Sequence, residues 1–261
     1  MAKLNNAPVY FTIAQVRFNP ILSLESYLAD LQDKLRRAGY PDYKPLHRIS
    51  INLSGGTGKD GASLTQSQVV RHVFANTDGN AGFLVEQNSI SFQTTSYDVF
   101  GTFSAEFFRG VEVLHELVGL SFTERVGLRY LDAVIPKKGE EISLYLVPEV
   151  MGLQNKLPGI EHSYTETMAR DDGNHVISRT LIHKGELGLP PDLDPIGLKL
   201  SGKFSGHTGL HAILDTDAFC ETRKPFDANA LKERMSALHE FIRKAFKAIP
   251  TEYAQKVWSE E

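Results

Sequence analysis

Hydrophobic and polar residues alternate along several stretches of the chain, which is typical of β-strands that bury one face. The first of these stretches runs from Val9 to Phe18 and is closed by Asn19 and Pro20. A second, Thr123 to Ile135, is the most regular. We predict further strands within 47–56, at 69–75, twice within 82–97, and at 161–170, 175–184, 196–204 and 209–216.

Three other stretches repeat their apolar residues at helical spacing. Gly39 and Gly119 follow two of them, and glycine commonly ends a helix. Asp227 precedes the third and is a predicted N-cap, since its carboxylate can accept the first free backbone N–H groups. Strands and helices in this mixture predict an α+β fold. The predicted helices cover 23–38, 98–118 and 227–249.

The order strand, loop, helix recurs along the chain, which suggests that its N-terminal and C-terminal halves are related. Residues 136–160 are irregular and contain repeated proline and glycine, so they form the predicted boundary. We therefore expect two related halves, residues 1–147 and 148–261, each a mainly antiparallel sheet with a helix packed on one face. One continuous domain is the alternative.

Composition narrows the function only modestly. The chain has 261 residues and a formal net charge of −4, an acidic balance that disfavours binding to phosphate backbones. Cys220 is the only cysteine, which excludes an intramolecular disulfide and a cysteine metal cluster. The N-terminal residues lack the apolar core of a signal peptide, and no apolar run approaches the length of a membrane span. We expect a cytoplasmic protein without a membrane partner.

Known catalytic motifs do not fit the chain. The segment "GGTGKDG" resembles a phosphate-binding loop, but Asp60 stands where that loop requires Ser or Thr. The His-Glu pairs at His115 and His239 lack the second histidine of a zinc-protease helix. The sequence therefore predicts no catalytic residue and no cofactor.

Histidines raise the question of a metal site. His207 and His211 are four residues apart, which in a predicted strand separates them by roughly 13 Å, too far to share a metal. A site would need the fold to bring His175 or His183 alongside them. Because the sequence gives no reason to expect this, we predict no metal.

The strand at 123–135 carries the chain's best polar surface outside the core. Arg125, Gly127 and Arg129 fall on one face of this strand, and apolar residues fall on the other. Arginine binds carboxylate or phosphate through two parallel hydrogen bonds. The two arginines are therefore either an anion-binding site or partners of a neighbouring strand's acidic residues or of the helix 98–118, with the second interpretation favoured.

The segment "RVGLRYLDAV", the aromatic-rich helix before it and the first strand "PVYFTIAQVRFNP" together resemble an uncharacterised, sporadically distributed bacterial protein family of similar total length. Its members share an Arg-Val/Ile-Gly-Leu-Arg-Tyr strand and a closing helix followed by a tryptophan. The resemblance spans 8–38, 88–135 and 209–258, and Leu131-Asp132 stands where Ile-Asn is common. It implies no established activity and no catalytic residue. The family's patchy distribution implies an accessory role such as defence, toxin neutralisation or mobile-element cargo.

Three functions follow as expectations. The first is a non-catalytic protein-binding component of a bacterial accessory system, for toxin neutralisation, immunity or defence. The second is a nucleic-acid-binding or RNA-processing protein with paired ferredoxin-like halves, in which "GLKLSGKFSGHTG" presents Lys203 and His207 to a phosphate backbone. The third is a hydrolase with a cleft between halves, which requires His175, His183, His207 and Glu166 to converge. The candidate binding residues are Arg125, Arg129, Lys203 and His207.

Overall fold

The computed structural model describes residues 5–54, 63–154, 156–157, 159, 161–193 and 195–260. For 48–54 and 63–69 it describes the backbone alone. The "GGTGKDG" motif lies outside the described residues.

The described chain contains strands and helices in the following order. They are β1 (Val9–Phe18), α1 (Leu24–Arg37), β2 (Asp42–Ser54), β3 (Ser63–Ala75), β4 (Ala81–Glu86), β5 (Ser89–Thr94), α2 (Phe100–Val118), β6 (Phe122–Val134), β7 (His162–Asp171), β8 (Asn174–Glu186), β9 (Thr208–Cys220), β10 (Lys224–Pro225), α3 (Ala228–Lys247) and α4 (Glu252–Ser259).

Local signals set several of these boundaries. Gly119 ends α2 in the left-handed conformation, with a φ of 64°. The carboxylate of Asp227 caps α3 by accepting the N–H groups of Asn229 and Ala230 at 2.8 and 3.0 Å, as predicted. Asp172 and Gly173 both have positive φ, 44° and 72°, and so make the two-residue hairpin between β7 and β8.

All strands of the described residues belong to one antiparallel sheet. Its order is β2-β3-β4-β5-β1-β6-β9-β8-β7, and the short β10 pairs with the start of β6. The predicted α+β class and mainly antiparallel sheet are confirmed. The expectation of two related halves, each with its own sheet, finds no support, because β6 and β9 are hydrogen-bonded neighbours from Val126–Cys220 to Val134–Ala212. The sheet thus continues across the predicted boundary between residues 147 and 148.

Helices α1, α2 and α3 cover one face of the sheet and bury the main core against it. The apolar positions at helical spacing are the ones that meet the sheet, as the sequence pattern predicted. Helix α4 closes a second, smaller core around Trp258. No helix among the described residues is long and apolar enough to cross a membrane. Core side chains on the helices include Leu31, Leu35, Phe103, Phe107, Leu114, Met235 and Leu238.

The opposite face, which we call the open face, is only partly covered. Residues 187–193 and 195–207, the covering segment, cross it between β8 and β9 and bury a third apolar cluster that includes Phe11, Leu131 and Phe204. The segment is hydrogen-bonded to the turn between β3 and β4, since Lys199 N donates to Gly79 O at 2.8 Å. The predicted strand at 196–204 was therefore wrong. Its apolar residues pack on the sheet without entering it. Its backbone bonds to Gly79 in the β3–β4 turn and to the side chains of Gln93 and Thr95.

Candidate functional site

A polar cavity of about 380 Å³ lies on the open face beside the covering segment. We call it the open-face cavity. Its floor comes from β3, β4, β5, β1, β6 and β9, because alternate residues of these neighbouring strands project to the same side. Asp192 and Leu193 of the covering segment form one wall. The polar residues that line the cavity include Gln15, Arg71, Ser91, Gln93, Arg125, Arg129 and Asp217.

Arg129 is buried in this cavity and is held by two carboxylates. Its Nε and Nη2 donate to Asp215 at 2.6 and 2.7 Å, and its Nη1 and Nη2 donate to Asp192 at 2.7 and 3.1 Å. The Arg129 guanidinium holds the pKa of the Asp192 carboxyl below its ordinary value. Arg129 therefore links β6, β9 and the covering segment, and four of its five N–H donors are already used. For this residue the favoured interpretation, pairing with an acid of a neighbouring strand, is confirmed.

The pairing continues across the sheet as a row of alternating charges. Arg179 on β8 donates from Nη1 to Asp215 at 3.3 Å and from Nε to Glu166 on β7 at 2.7 Å. Hydrogen bonding to Arg179 lowers the pKa of Glu166. We call the row Glu166, Arg179, Asp215, Arg129 and Asp192 the charge ladder. It fixes the side chains beside the cavity in place.

Arg125 is held more loosely than Arg129. Its Nη1 donates to Gln15 Oε1 at 3.3 Å, while its nearest acids are Glu221 at 3.7 Å and Asp217 at 4.0 Å. The guanidinium also lies 4.9 Å from the ring centroid of Phe219. The side chain keeps 21% of its surface exposed. An incoming carboxylate or phosphate can therefore reach Arg125 without breaking a short ion pair.

Gly127 allows Arg125 to take this position. A Cβ at Gly127 would lie 2.6 Å from Nη1 of Arg125, so the guanidinium occupies the space that a side chain would fill. The glycine of the "RVGLRY" segment is thus explained by the neighbouring arginine. Burial raises the pKa of Asp217, and the charge of Arg125 opposes that rise. A carboxyl that is costly to ionise competes weakly for Arg125.

The remaining two predicted binding residues lie outside the open-face cavity. Lys203 donates from Nζ to the backbone carbonyls of Asn6 and Ala7 at 3.2 and 2.9 Å. His207 ends the covering segment and lies among other histidines. The structure therefore brings Arg125 and Arg129 together and leaves Lys203 and His207 apart from them.

Histidines converge beside the first residues of β9. His183 stands directly opposite His211 in the sheet register, and their ring centroids are 4.6 Å apart. The rings of His207 and His211 are 5.5 Å apart. The expectation that these two lie too far apart was wrong, because His207 precedes β9 and the chain turns at Gly209, whose φ is 135°. We call His183, His207 and His211 the histidine cluster.

The convergence that a hydrolase would need is only partly present. His183 and His207 meet through His211, but His175 lies opposite Phe219 near the other end of β8. Glu166 is held by Arg179. As they stand, no three His, Cys, Asp or Glu side chains of the described residues are placed to hold a metal ion.

A second cavity, of about 280 Å³, lies on the helix-covered side of β6. Tyr130 Oη lies 3.2 Å from Tyr97 Oη and 3.4 Å from Nδ1 of His239, and the His239 ring stacks on Phe100. Burial raises the pKa of Asp132, which also lines this cavity, to about 7. Burial lowers the pKa of His239. Asp132 can therefore exchange a proton near neutral pH.

Sequence reasoning did not identify Asp192, Asp215 or Asp132 as important. Asp215 and Asp217 are two residues apart and therefore lie on one face of β9, which the sequence could have indicated. The register that sets Asp215 beside Arg129 has no local signature, and neither does the position of Asp192 in the covering segment. No protein-family model matches the chain, and no curated protein matches it.

Proposed function

We propose that the protein is a non-catalytic binding protein, and that its open face receives an acidic segment of a partner protein. In this proposal a carboxylate of the partner pairs with Arg125 in the open-face cavity. The observation that carries it is the contrast between two arginines on one strand face. Arg129 Nε lies 2.6 Å from Asp215, whereas the described residues bring no acid closer to Arg125 than Glu221 at 3.7 Å.

Rigidity of the cavity floor supports this proposal. The charge ladder crosses β7, β8, β9 and β6, so the side chains beside Arg125 are ordered before any partner arrives. A preordered site loses less conformational entropy on binding. Gln15, Ser91 and Gln93 add hydrogen-bonding groups around the guanidinium.

A protein partner is favoured over a free small anion by the surface next to the cavity. Tyr164 and Met168 of β7 lie on the same face as Glu166 and are 54% and 56% exposed. Tyrosine, methionine and arginine are enriched in protein interfaces. A segment that lies across the open face can therefore contact both these side chains and Arg125.

The experiment is affinity capture with the purified chain as bait, run in parallel for wild type, Arg125→Gln and Arg37→Gln. Arg37 is a matched control because it is an exposed arginine of α1 that pairs with Asp33. We expect wild type and Arg37→Gln to retain the same partner and Arg125→Gln to lose it. A partner retained equally by all three variants would contradict the proposal.

The other two expectations are separated by the same experiment. Co-purifying RNA or DNA that nuclease removes would favour the nucleic-acid function, and Lys203→Ala would then be the variant to test. Turnover of a hydrolysable substrate by the bare chain would favour the hydrolase. The resemblance to a sporadically distributed bacterial family supports an accessory role such as defence, and the identity of a captured partner would test it.

A further inference from the structure

Two of the three ring pairs in the histidine cluster have the spacing of imidazoles that share a metal ion. Two imidazoles on one tetrahedral zinc, each with a Zn–N bond of about 2 Å, have ring centroids about 5 Å apart. The measured separations are 4.6 Å for His183 and His211 and 5.5 Å for His207 and His211. The two values lie on either side of the expected one.

Unpaired nitrogen atoms in the cluster also point to a ligand. His211 Nδ1 lies 3.1 Å from the carbonyl oxygen of Gly209, so Nδ1 carries the proton and donates it. This leaves a lone pair on Nε2, which is buried without a hydrogen-bond partner. Within the part of the chain that the structure describes, Nε2 of His207 and Nδ1 of His183 are buried and unpartnered as well, as are Nδ1 of His115 and of His175 outside the cluster. Buried polar atoms without partners are costly, and a bound ion is one way to satisfy them.

His211 has the environment of a metal ligand. It is only 1% exposed, and its Nδ1 proton is held by the Gly209 carbonyl, which leaves Nε2 unprotonated. Metals bind the neutral ring. The hydrogen bond from Nδ1 to a backbone carbonyl is the contact that commonly orients a ligating histidine.

Adjustment of the rings is required, since no three such side chains of the described chain already hold the positions of a metal site. Gly185 and Gly209 face each other across β8 and β9 beside the cluster. Neither has a side chain, and a Cβ at Gly185 would lie 2.6 Å from Cε1 of His183. Gly185 therefore leaves the space in which the His183 ring lies.

We infer that His183, His207 and His211 form a binding site for a divalent transition-metal ion, with Zn²⁺ as the ion that three imidazoles fit best. Three imidazoles leave one tetrahedral position for water or for His162, which stands opposite His183 on β7. The site lies outside the open-face cavity, so it stands independently of the proposed function.

Isothermal titration of the full, untagged chain with ZnCl₂ tests the inference, and Co²⁺ absorption reports the coordination geometry. We expect about one Zn²⁺ per chain, with affinity reduced by about tenfold or more in His207→Gln and His211→Gln. His175→Gln is the matched control and should bind as wild type does. Absence of stoichiometric binding, or binding that both cluster variants retain, would overturn the inference.

His207 is only partly buried, so His207→Gln should fold even if His211→Gln does not. A measurement on the wild-type chain does not depend on whether a variant folds. Zinc should shift the imidazole NMR signals of His183, His207 and His211. Shifts confined to histidines outside the cluster would also overturn the inference.

Discussion

Replacing Asp132 by asparagine tests whether the helix-side cavity keeps a carboxyl out of water. Asp132 is 6% exposed, and burial raises its pKa from an ordinary value of 3.8 to about 7. Asparagine keeps nearly the same shape and removes the ionisation. The change therefore isolates the cost of placing a charge at this position on β6.

The magnitude follows from the pKa difference. A pKa difference of one corresponds to about 1.4 kcal/mol, so raising the pKa of Asp132 from 3.8 to about 7 corresponds to about 4 kcal/mol. Between pH 4 and 7 the unfolded chain has released the Asp132 proton and the folded chain has kept it. The free energy of unfolding of wild type therefore falls as pH rises through this window and is constant above it with respect to this group. Asparagine does not ionise, so the free energy of unfolding of Asp132→Asn does not fall in this way.

Urea unfolding of wild type and Asp132→Asn at several pH values between 4 and 8 measures the effect. We expect similar stability near pH 4 and a variant that is more stable by up to about 4 kcal/mol at pH 8. Asp192→Asn is a control of opposite sign, because Arg129 lowers the pKa of Asp192 and neutralising it removes a favourable interaction. Parallel pH profiles for wild type and Asp132→Asn would refute the reasoning.

Three further predictions concern the charge ladder, the cavity floor and a helix cap. Arg129→Met leaves the buried Asp215 without its closest partner and should lower the free energy of unfolding by about 3–5 kcal/mol in urea; a loss below about 1 kcal/mol would argue against the ladder as a structural element. Gly127→Ala should displace the Arg125 guanidinium and weaken partner binding while leaving the urea midpoint nearly unchanged, and unchanged binding would contradict this. Asp227→Ala should cost about 1 kcal/mol in a thermal melt through loss of its two N–H bonds, and an unchanged melt would contradict that.

Much of the fold was predictable because hydrophobic spacing records which face each element buries. The alternation in β6 correctly separated Arg125, Gly127 and Arg129 from the core residues opposite them. The capping residue Asp227 and the terminating Gly119 correctly placed the ends of two helices. These signals are local, so they determined the faces and ends of single strands and helices.

The remaining features depend on contacts between distant residues. Arg129 meets Asp215 only because β6 and β9 are neighbours in the sheet, which no local pattern in either strand specifies. The same pairing joined the two predicted halves into one sheet. Residues 196–204 have the apolar content of a strand, but they cover the sheet instead of extending it. His207 and His211 approach each other because His207 precedes β9 and the backbone turns at Gly209, whose φ is 135°.

The most direct test of the proposed binding function is the dissociation constant of the captured partner, measured with purified components for wild type, Arg125→Gln and Arg37→Gln. Loss of a charge-assisted contact should weaken binding by about tenfold or more in Arg125→Gln. Arg37→Gln should bind within about twofold of wild type, since exposed pairs contribute little. Equal dissociation constants for all three proteins would contradict the assignment of the open-face cavity as the binding site.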